Sequence, residues 1–214
     1  MKACERVRRT SIAKKQVVAL TGLALVFFLF THLAGNLQML KGAKAFDDYA
    51  AFLASQGPLL WLAEAGLALV FLVHIVWGLT VTLQNVRARP VAYAVTTTAG
   101  GRTAGSATMR YSGSILLVFL VVHIVTFKLM GPETGHGSLF QWVTFNFKHP
   151  AYMGFYLAAM LFLLLHLSHG IQSAFQTLGV NHPRYTPYIR CAGWLVALIL
   201  AGGFGALPVW AYLR

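Results

Sequence analysis

The sequence predicts an all-α integral membrane protein, a bundle of five transmembrane helices in a single domain. Of its 214 residues, 57% are hydrophobic and only 10% are charged, whereas a soluble domain carries about 25% charged residues. Five apolar stretches approach the ~20 residues that an α-helix needs to cross a bilayer. They cover residues 17–40, 59–84, 112–130, 150–178 and 190–212. The chain shows no second domain and no internal repeat.

Turn and helix-start residues separate these stretches. Those residues are Gly57-Pro58, Arg89-Pro90, Gly131-Pro132 and His149-Pro150. Residues 91–109 are small, polar and rich in glycine, which predicts a loop. The first stretch follows a basic segment, as in a signal peptide, but it is too long for the apolar region of one. Because no small-residue cleavage site follows it, we expect it to be retained as the first helix.

The distribution of basic residues predicts the orientation. Twelve lie on one side of the predicted membrane: Lys2, Arg6, Arg8, Arg9, Lys14, Lys15, Arg87, Arg89, Arg102, Arg110, Arg184 and Arg190. The other side has five, namely Lys41, Lys44, Lys128, Lys148 and Arg214. Cytoplasmic loops carry the excess of Lys and Arg, so the N-terminus is expected in the cytoplasm and the C-terminus outside. This clustering between apolar stretches also argues against nucleic-acid binding.

The cysteines exclude two kinds of redox centre. The chain has only Cys4 and Cys191, whereas an iron–sulfur cluster requires about four ligands. It also lacks the C-x-x-C-H motif that attaches c-type haem. We therefore expect both residues to be ordinary free thiols.

Four histidines lie inside four different apolar stretches, and their depths form two pairs. At 1.5 Å per residue from the predicted outer ends, His32 lies about 12 Å deep and His123 about 10 Å. His74 lies about 22 Å deep and His166 about 24 Å. An ionisable side chain inside the membrane is costly and usually functional. The pairing therefore predicts an outer level and an inner level of facing imidazoles.

Two facing imidazoles suit axial ligation of a haem iron, so the sequence predicts two haems inside a four-helix core, with the fifth helix outside it. A zinc site would require one closed cluster of four ligands, which two separate levels do not form. His169 lies one turn deeper than His166, and we expect it to be a neighbour of the haem and not a ligand. Glycines lie one turn from three of the ligands, at Gly35, Gly78 and Gly170. They fit either a flat macrocycle or close helix packing.

Three sequence runs resemble a known family, the di-haem cytochrome b membrane anchor of succinate dehydrogenase and quinol:fumarate reductase. The runs are TGLALVFFLFTHLAGNLQ around His32, RYSGSILLVFLVVH before His123 and LHLSHGIQSAFQTLG around His166. The resemblance implies two b haems and a quinone, usually menaquinone. It implies a flavoprotein subunit, where fumarate and succinate interconvert, and an iron–sulfur subunit on the cytoplasmic face of the bacterial inner membrane. It also assigns the fourth haem ligand to His166.

The resemblance draws attention to further candidate residues. Glu64, the one acid inside a predicted span, is a candidate acceptor of protons from a quinol; the alternative is an interfacial residue bonded to a loop amide or water. Asn36, Gln38 and Lys41, near His32, are weaker candidates for lining the same pocket. Four basic residues at the predicted cytoplasmic ends of the helices are candidates for contact with inner-haem propionates or with the partner subunits; the alternative is that they only set the topology. Those residues are Lys14, Lys15, Arg110 and Arg184.

One position departs from the family pattern, and two other functions remain open at this point. Some di-haem fumarate reductases carry a glutamate for proton transfer two residues before the fourth ligand, where this chain has Leu164. The expected function is electron transfer between a membrane quinone and an iron–sulfur partner in a respiratory chain. The alternatives are the cytochrome b of a hydrogenase or formate dehydrogenase, and a proton-coupled transporter. A transporter would have polar, broken helices near mid-membrane.

Overall fold

The computed structural model describes residues 11–88, 103–131 and 137–214, and these residues are helical with no strand among them. The α-helices are α1 Ser11–Asn36, α2 Ala43–Ser55, α3 Pro58–Arg87, α4 Ala104–Ile124, α5 Leu139–Phe147, α6 Pro150–Thr177 and α7 Thr186–Leu213. A 3₁₀ segment, Leu37–Lys41, extends α1, and a π-helical segment, Val125–Met130, extends α4. Sequence predictions on Lys2, Cys4, Arg6, Arg8, Arg9, Arg89-Pro90, Arg102 and Pro132 lie outside the described residues.

Five of these helices are long and apolar enough to cross a membrane: α1 and α4 with their extensions, α3, α6 and α7. Their lengths of 27 to 30 residues correspond to about 40–45 Å of helix, more than the ~30 Å hydrocarbon core. The predicted all-α architecture with five membrane-spanning helices is therefore confirmed.

The prediction of a loop over 91–109 is wrong for its last six residues. Helix α4 begins at Ala104, eight residues before the predicted start. A capping box explains the early start, since the Thr103 hydroxyl accepts from the Ser106 backbone N–H (3.1 Å) and the Ser106 hydroxyl accepts from that of Thr103 (2.9 Å). These bonds satisfy backbone donors that a helix end leaves free.

Two short helices that the apolar pattern does not predict lie together at one end of the bundle. Helices α2 and α5 have 13 and 9 residues, too few to span a bilayer. The Phe140 backbone N–H of α5 donates to the Asp47 carboxylate of α2 at 3.0 Å. The Trp142 indole donates to the carbonyl of Thr126 at 2.9 Å, which ties α5 to the π segment. We call this end of the bundle the capped end. The spanning helices and their extensions begin or end there, at Lys41, Pro58, Met130, Pro150 and Leu213.

At the opposite end, α1, α4 and α7 begin and α3 and α6 end. We call it the basic end because six basic residues lie there: Lys14, Lys15, Arg87, Arg110, Arg184 and Arg190. In the interior, α1 packs against α3 and α6, and α4 and α7 both pack along α6. A buried cluster that includes Leu33, Leu163 and Leu200 joins α1, α6 and α7. Among the spanning helices, α3 packs mainly against α1, and α4 packs mainly against α6.

Candidate cofactor site

The imidazoles of His32 and His123 face each other near the capped end. His32 belongs to α1 and His123 to α4, and their ring centroids are 5.8 Å apart with the ring planes perpendicular. Metal–imidazole bonds are about 2 Å long, so two axial imidazoles on opposite sides of one metal ion have centroids roughly 6 Å apart. The observed separation fits this arrangement.

The second ring nitrogen of His123 is held by a chain of tyrosine hydroxyls. Its Nδ1 lies 3.1 Å from the hydroxyl of the buried Tyr156, which lies 3.2 Å from that of Tyr152. When Tyr156 donates to Tyr152, its oxygen accepts from His123 Nδ1–H, and the lone pair of Nε2 remains for a metal. Metal-binding histidines commonly use their second nitrogen in this way.

His32 is held by contacts of a different kind. The side-chain amide of Asn36 donates to the backbone carbonyl of His32 at 2.8 Å, and its nitrogen lies 3.4 Å from Nε2 of the ring. The rings of Phe28 and Phe204 lie 5.2 and 5.6 Å from the imidazole, centroid to centroid. These contacts fix the ring between α1 and α7. Asn36, a candidate for the quinone pocket, therefore lies beside the predicted outer-haem ligand.

At the basic end, α1 supplies a hydroxyl to His74 of α3. Thr21 donates its hydroxyl hydrogen to the carbonyl of Val17 at 2.7 Å. Its oxygen lies 3.1 Å from His74 Nδ1. A hydroxyl has one hydrogen, so with that hydrogen on Val17 it accepts from His74 Nδ1–H. The Nε2 atom of His74 is then free for a metal.

The same arrangement holds His166 of α6. The fully buried Ser112 of α4 donates to the carbonyl of Met109 at 3.1 Å, and its oxygen lies 3.3 Å from His166 Nδ1. His166 therefore also has its Nε2 available for a metal. His74 and His166 thus each have a hydroxyl at Nδ1, supplied to α3 by α1 and to α6 by α4.

Thr21 and Ser112 belong to a short motif that occurs in both α1 and α4. Each is followed by a glycine and then, after nine intervening residues, by a histidine of the other pair, giving [ST]-G-x₉-H. Eleven residues make about three turns, so the hydroxyl and the later histidine share one face of the helix. Sequence reasoning missed these hydroxyls, although this repeated spacing could have revealed them.

The glycine of the motif leaves room for each imidazole of the basic-end pair. A Cβ on Gly22 would lie 3.1 Å from His74 Cε1, and one on Gly113 would lie 3.5 Å from His166 Cε1. Among the glycines predicted beside the ligands, a Cβ on Gly35 would lie 2.7 Å from the Tyr49 ring, which indicates close helix packing. A Cβ on Gly78 would meet nothing within 4 Å.

His169 lies one turn beyond His166 towards the basic end. It neighbours Gly105, on which a Cβ would approach His169 Cβ to 2.9 Å. In the described part of the chain, no three or more His, Cys, Asp or Glu side chains form a group that could hold a metal ion. Of the intramembrane histidines, His32 and His123 face each other, and this pair suits axial ligation of a haem iron.

The candidate basic residues divide into one buried side chain and three exposed ones. Lys14 is only 5% exposed, and its ammonium lies 5.8 Å from the ring centroid of Trp77, three residues after His74. Within the described ranges, ion pairs join only Lys44 to Asp48 and Lys128 to Glu64, so Lys14 has no acidic partner there. The exposed side chains are Lys15, Arg110 and Arg184.

Glu64 forms an ion pair across two membrane helices, an interaction that sequence reasoning did not predict. Its carboxylate accepts from the ammonium of Lys128, in the π segment, at 2.5 Å. Gln38 lies in the 3₁₀ segment after α1. No hydrogen bond joins Glu64 to Gln38 or Asn36 in the described structure, so these candidates do not form one polar cluster.

Comparison with known proteins supplies the family. Residues 87–204 match the family model for the succinate dehydrogenase/fumarate reductase transmembrane subunit. A search of curated proteins found no match, and a search of solved structures found none. The matched region contains His123 and His166 and covers more than half of the chain. The chain therefore belongs to the succinate dehydrogenase/fumarate reductase transmembrane subunit family, as a multi-pass membrane subunit of such complexes.

Proposed function

We propose that this subunit transfers electrons between a membrane quinone and an iron–sulfur partner through two b haems. His32 and His123 would hold the haem at the capped end, and His74 and His166 the haem at the basic end. The observation that carries the proposal is the hydroxyl bonded to Nδ1 of three of these imidazoles, on Tyr156, Thr21 and Ser112. A hydroxyl at Nδ1 favours the tautomer in which Nε2 is free to bind a metal. Ionisable side chains inside a membrane are costly and are usually functional.

The haems would supply one-electron carriers at two depths of the membrane. Helices α1 and α4 each contribute to both levels. Helix α1 carries the ligand His32 and the hydroxyl of Thr21, and α4 carries His123 and Ser112. Any rotation of α1 or α4 would therefore disturb both levels together, which couples the two sites mechanically.

The basic end is assigned to the cytoplasm by the positive-inside rule. Here the subunit would dock the iron–sulfur and flavoprotein subunits in the inner membrane of a bacterium. Lys14 is the strongest candidate for a haem propionate contact, because it is buried and has no acidic partner among the described residues, and a buried cation needs an anion. Lys15, Arg110 and Arg184 are exposed and better suited to the partner surface.

The capped end is assigned to the quinone, with menaquinone as the expected type. Oxidation of a quinol to a quinone releases two electrons and two protons. Glu64 would accept one proton on its carboxylate, and the second would pass to water at the outer surface. The electrons would leave through the haem pair to the iron–sulfur partner, and the flavoprotein would add two electrons and two protons to fumarate. Succinate oxidation is the reverse of this sequence.

The alternative functions receive less support. The family match favours a subunit of succinate dehydrogenase or fumarate reductase over the cytochrome b of a hydrogenase or formate dehydrogenase. The helices α1, α3, α6 and α7 are continuous through the membrane, unlike the interrupted helices of many transporters.

Electron transfer can be tested on the purified complex with its partner subunits. A reduced quinol should produce the absorption spectrum of reduced b haem, and subsequent fumarate should reverse it, because the haems lie between the two reactants. The check is an anaerobic stopped-flow spectrum after each addition. A haem spectrum that responds to neither quinol nor fumarate would refute the electron-transfer role.

A further inference from the structure

We propose that Lys128 is a positioning residue for quinol oxidation, which holds the Glu64 carboxylate at the seam between α3 and the π segment before and during proton transfer from a quinol. This inference rests on the proposed function, since it assumes that Glu64 accepts a proton from the quinol. It assigns a role to a cation that neither the family resemblance nor the haem ligation explains.

The ion pair joins two helices that are otherwise loosely associated. Helix α3 packs mainly against α1, and none of its side chains is fully buried. Across its other side, Lys128 Nζ reaches Glu64 Oε1 over 2.5 Å, although the residues are 64 positions apart in sequence. A polar contact thus closes the seam between α3 and the π segment.

The ion pair lies near the capped end, and both of its side chains remain accessible. Glu64 lies six residues after Pro58, at the start of α3, and Lys128 lies two residues before Met130. The side chains keep 40% and 60% of their surface exposed, respectively. Helices α2 and α5 cover the capped end through contacts with the π segment, α6 and α7. In this proposal, a quinol that diffuses in the bilayer reaches Glu64 from the side of the bundle between α3 and the π segment.

The π segment determines where Lys128 points. A π-helix bonds residue i to i+5 and so accommodates an extra residue, and such segments are frequent at functional sites. One extra residue rotates the later side chains by about 100° around the helix axis. The indole of Trp142 donates to the Thr126 carbonyl within this segment, which helps to fix its geometry. Lys128 is thus directed to α3 by local backbone structure.

The chemistry of the pair explains why it would stay closed without substrate. Charges near lipid attract each other more strongly than in water, and an unpaired charge there is costly. A carboxylate can accept several hydrogen bonds, so a quinol hydroxyl can donate to Glu64 while Lys128 stays bonded to it. Lys128 would then hold the carboxylate in one orientation while the proton moves from the quinol oxygen to Glu64.

The test compares the quinol:fumarate activity per haem of Lys128→Met and Lys128→Arg in the whole complex. We expect kcat to fall about tenfold or more in Lys128→Met with no rise in KM, because a misplaced acceptor slows chemistry without weakening entry. Lys128→Arg retains the cation and should recover most of the activity. The matched control is Lys44→Met, which removes the other described ion pair, on α2, and should leave kcat unchanged.

The outcomes separate this inference from the proposed function. Normal kcat in Lys128→Met, or a rise in KM alone, would overturn the positioning role, even when Glu64→Gln is inactive. Normal activity in Glu64→Gln would instead refute the quinone chemistry at Glu64. If the complex with Lys128→Met does not assemble, the same kcat measurement is made on Lys128→Gln. Full kcat in that variant overturns the inference, and a tenfold loss that arginine reverses supports it.

Discussion

Replacement of His166 by alanine is expected to remove the basic-end haem and leave the capped-end haem in place. His166 has its Nε2 available because its Nδ1 bonds the buried Ser112, and it is the proposed partner of His74. The capped-end pair draws its ligands from α1 and α4, so it should survive. The measurement is the haem content per chain, with a low-temperature spectrum that resolves the two haems.

His169→Ala is the matched control, since His169 lies one turn away on the same helix. It should retain both haems, with at most a shifted potential for the basic-end haem. Loss of the basic-end haem in His169→Ala, with its retention in His166→Ala, would show that the fourth ligand has been assigned to the wrong residue.

Replacement of Glu64 by glutamine is expected to reduce quinone-linked turnover by about a hundredfold, the usual contribution of a positioned proton acceptor. Glutamine preserves the size of the side chain and removes its ability to accept a proton. The measurement is fumarate reduction driven by a quinol, compared with fumarate reduction driven by an artificial donor that acts on the cytoplasmic subunits. Only the quinol reaction should fall, and the spectra of both haems should remain unchanged.

The control for this variant is Asp48→Asn, which removes the acid of the exposed ion pair on α2. It should keep full quinol activity because Asp48 lies outside the membrane helices. Equal quinol activity in Glu64→Gln and the unmodified complex would exclude Glu64 from the mechanism.

The sequence pattern predicts the membrane helices well because their physical cause is local. A run of apolar residues must cross the bilayer as a helix with its backbone bonds satisfied internally, so five such runs predict five spans. The start of α4 at Ala104 was missed because a capping box, and not hydropathy, sets it. The short helices α2 and α5 were missed because they are too short to register as apolar spans. Their packing at the capped end stabilises them, and the apolar pattern does not reveal that packing.

The candidate site is predictable only as far as depth along a helix allows. Depth gives the two histidine levels, since the rise per residue is constant. The rotation of each helix is set by packing against its neighbours, so the hydroxyl partners of His74 and His166 emerge only from the structure. The partner of Glu64 was hidden for a further reason, because a π segment changes the direction of Lys128.

The most direct test of the account is the number and kind of haems in the purified complex. A pyridine haemochrome assay against the protein concentration should give two non-covalent b haems per chain, both six-coordinate by spectroscopy. This result is expected from the proposed pairing of His32 with His123 and of His74 with His166. One haem per chain, or none, would contradict the account.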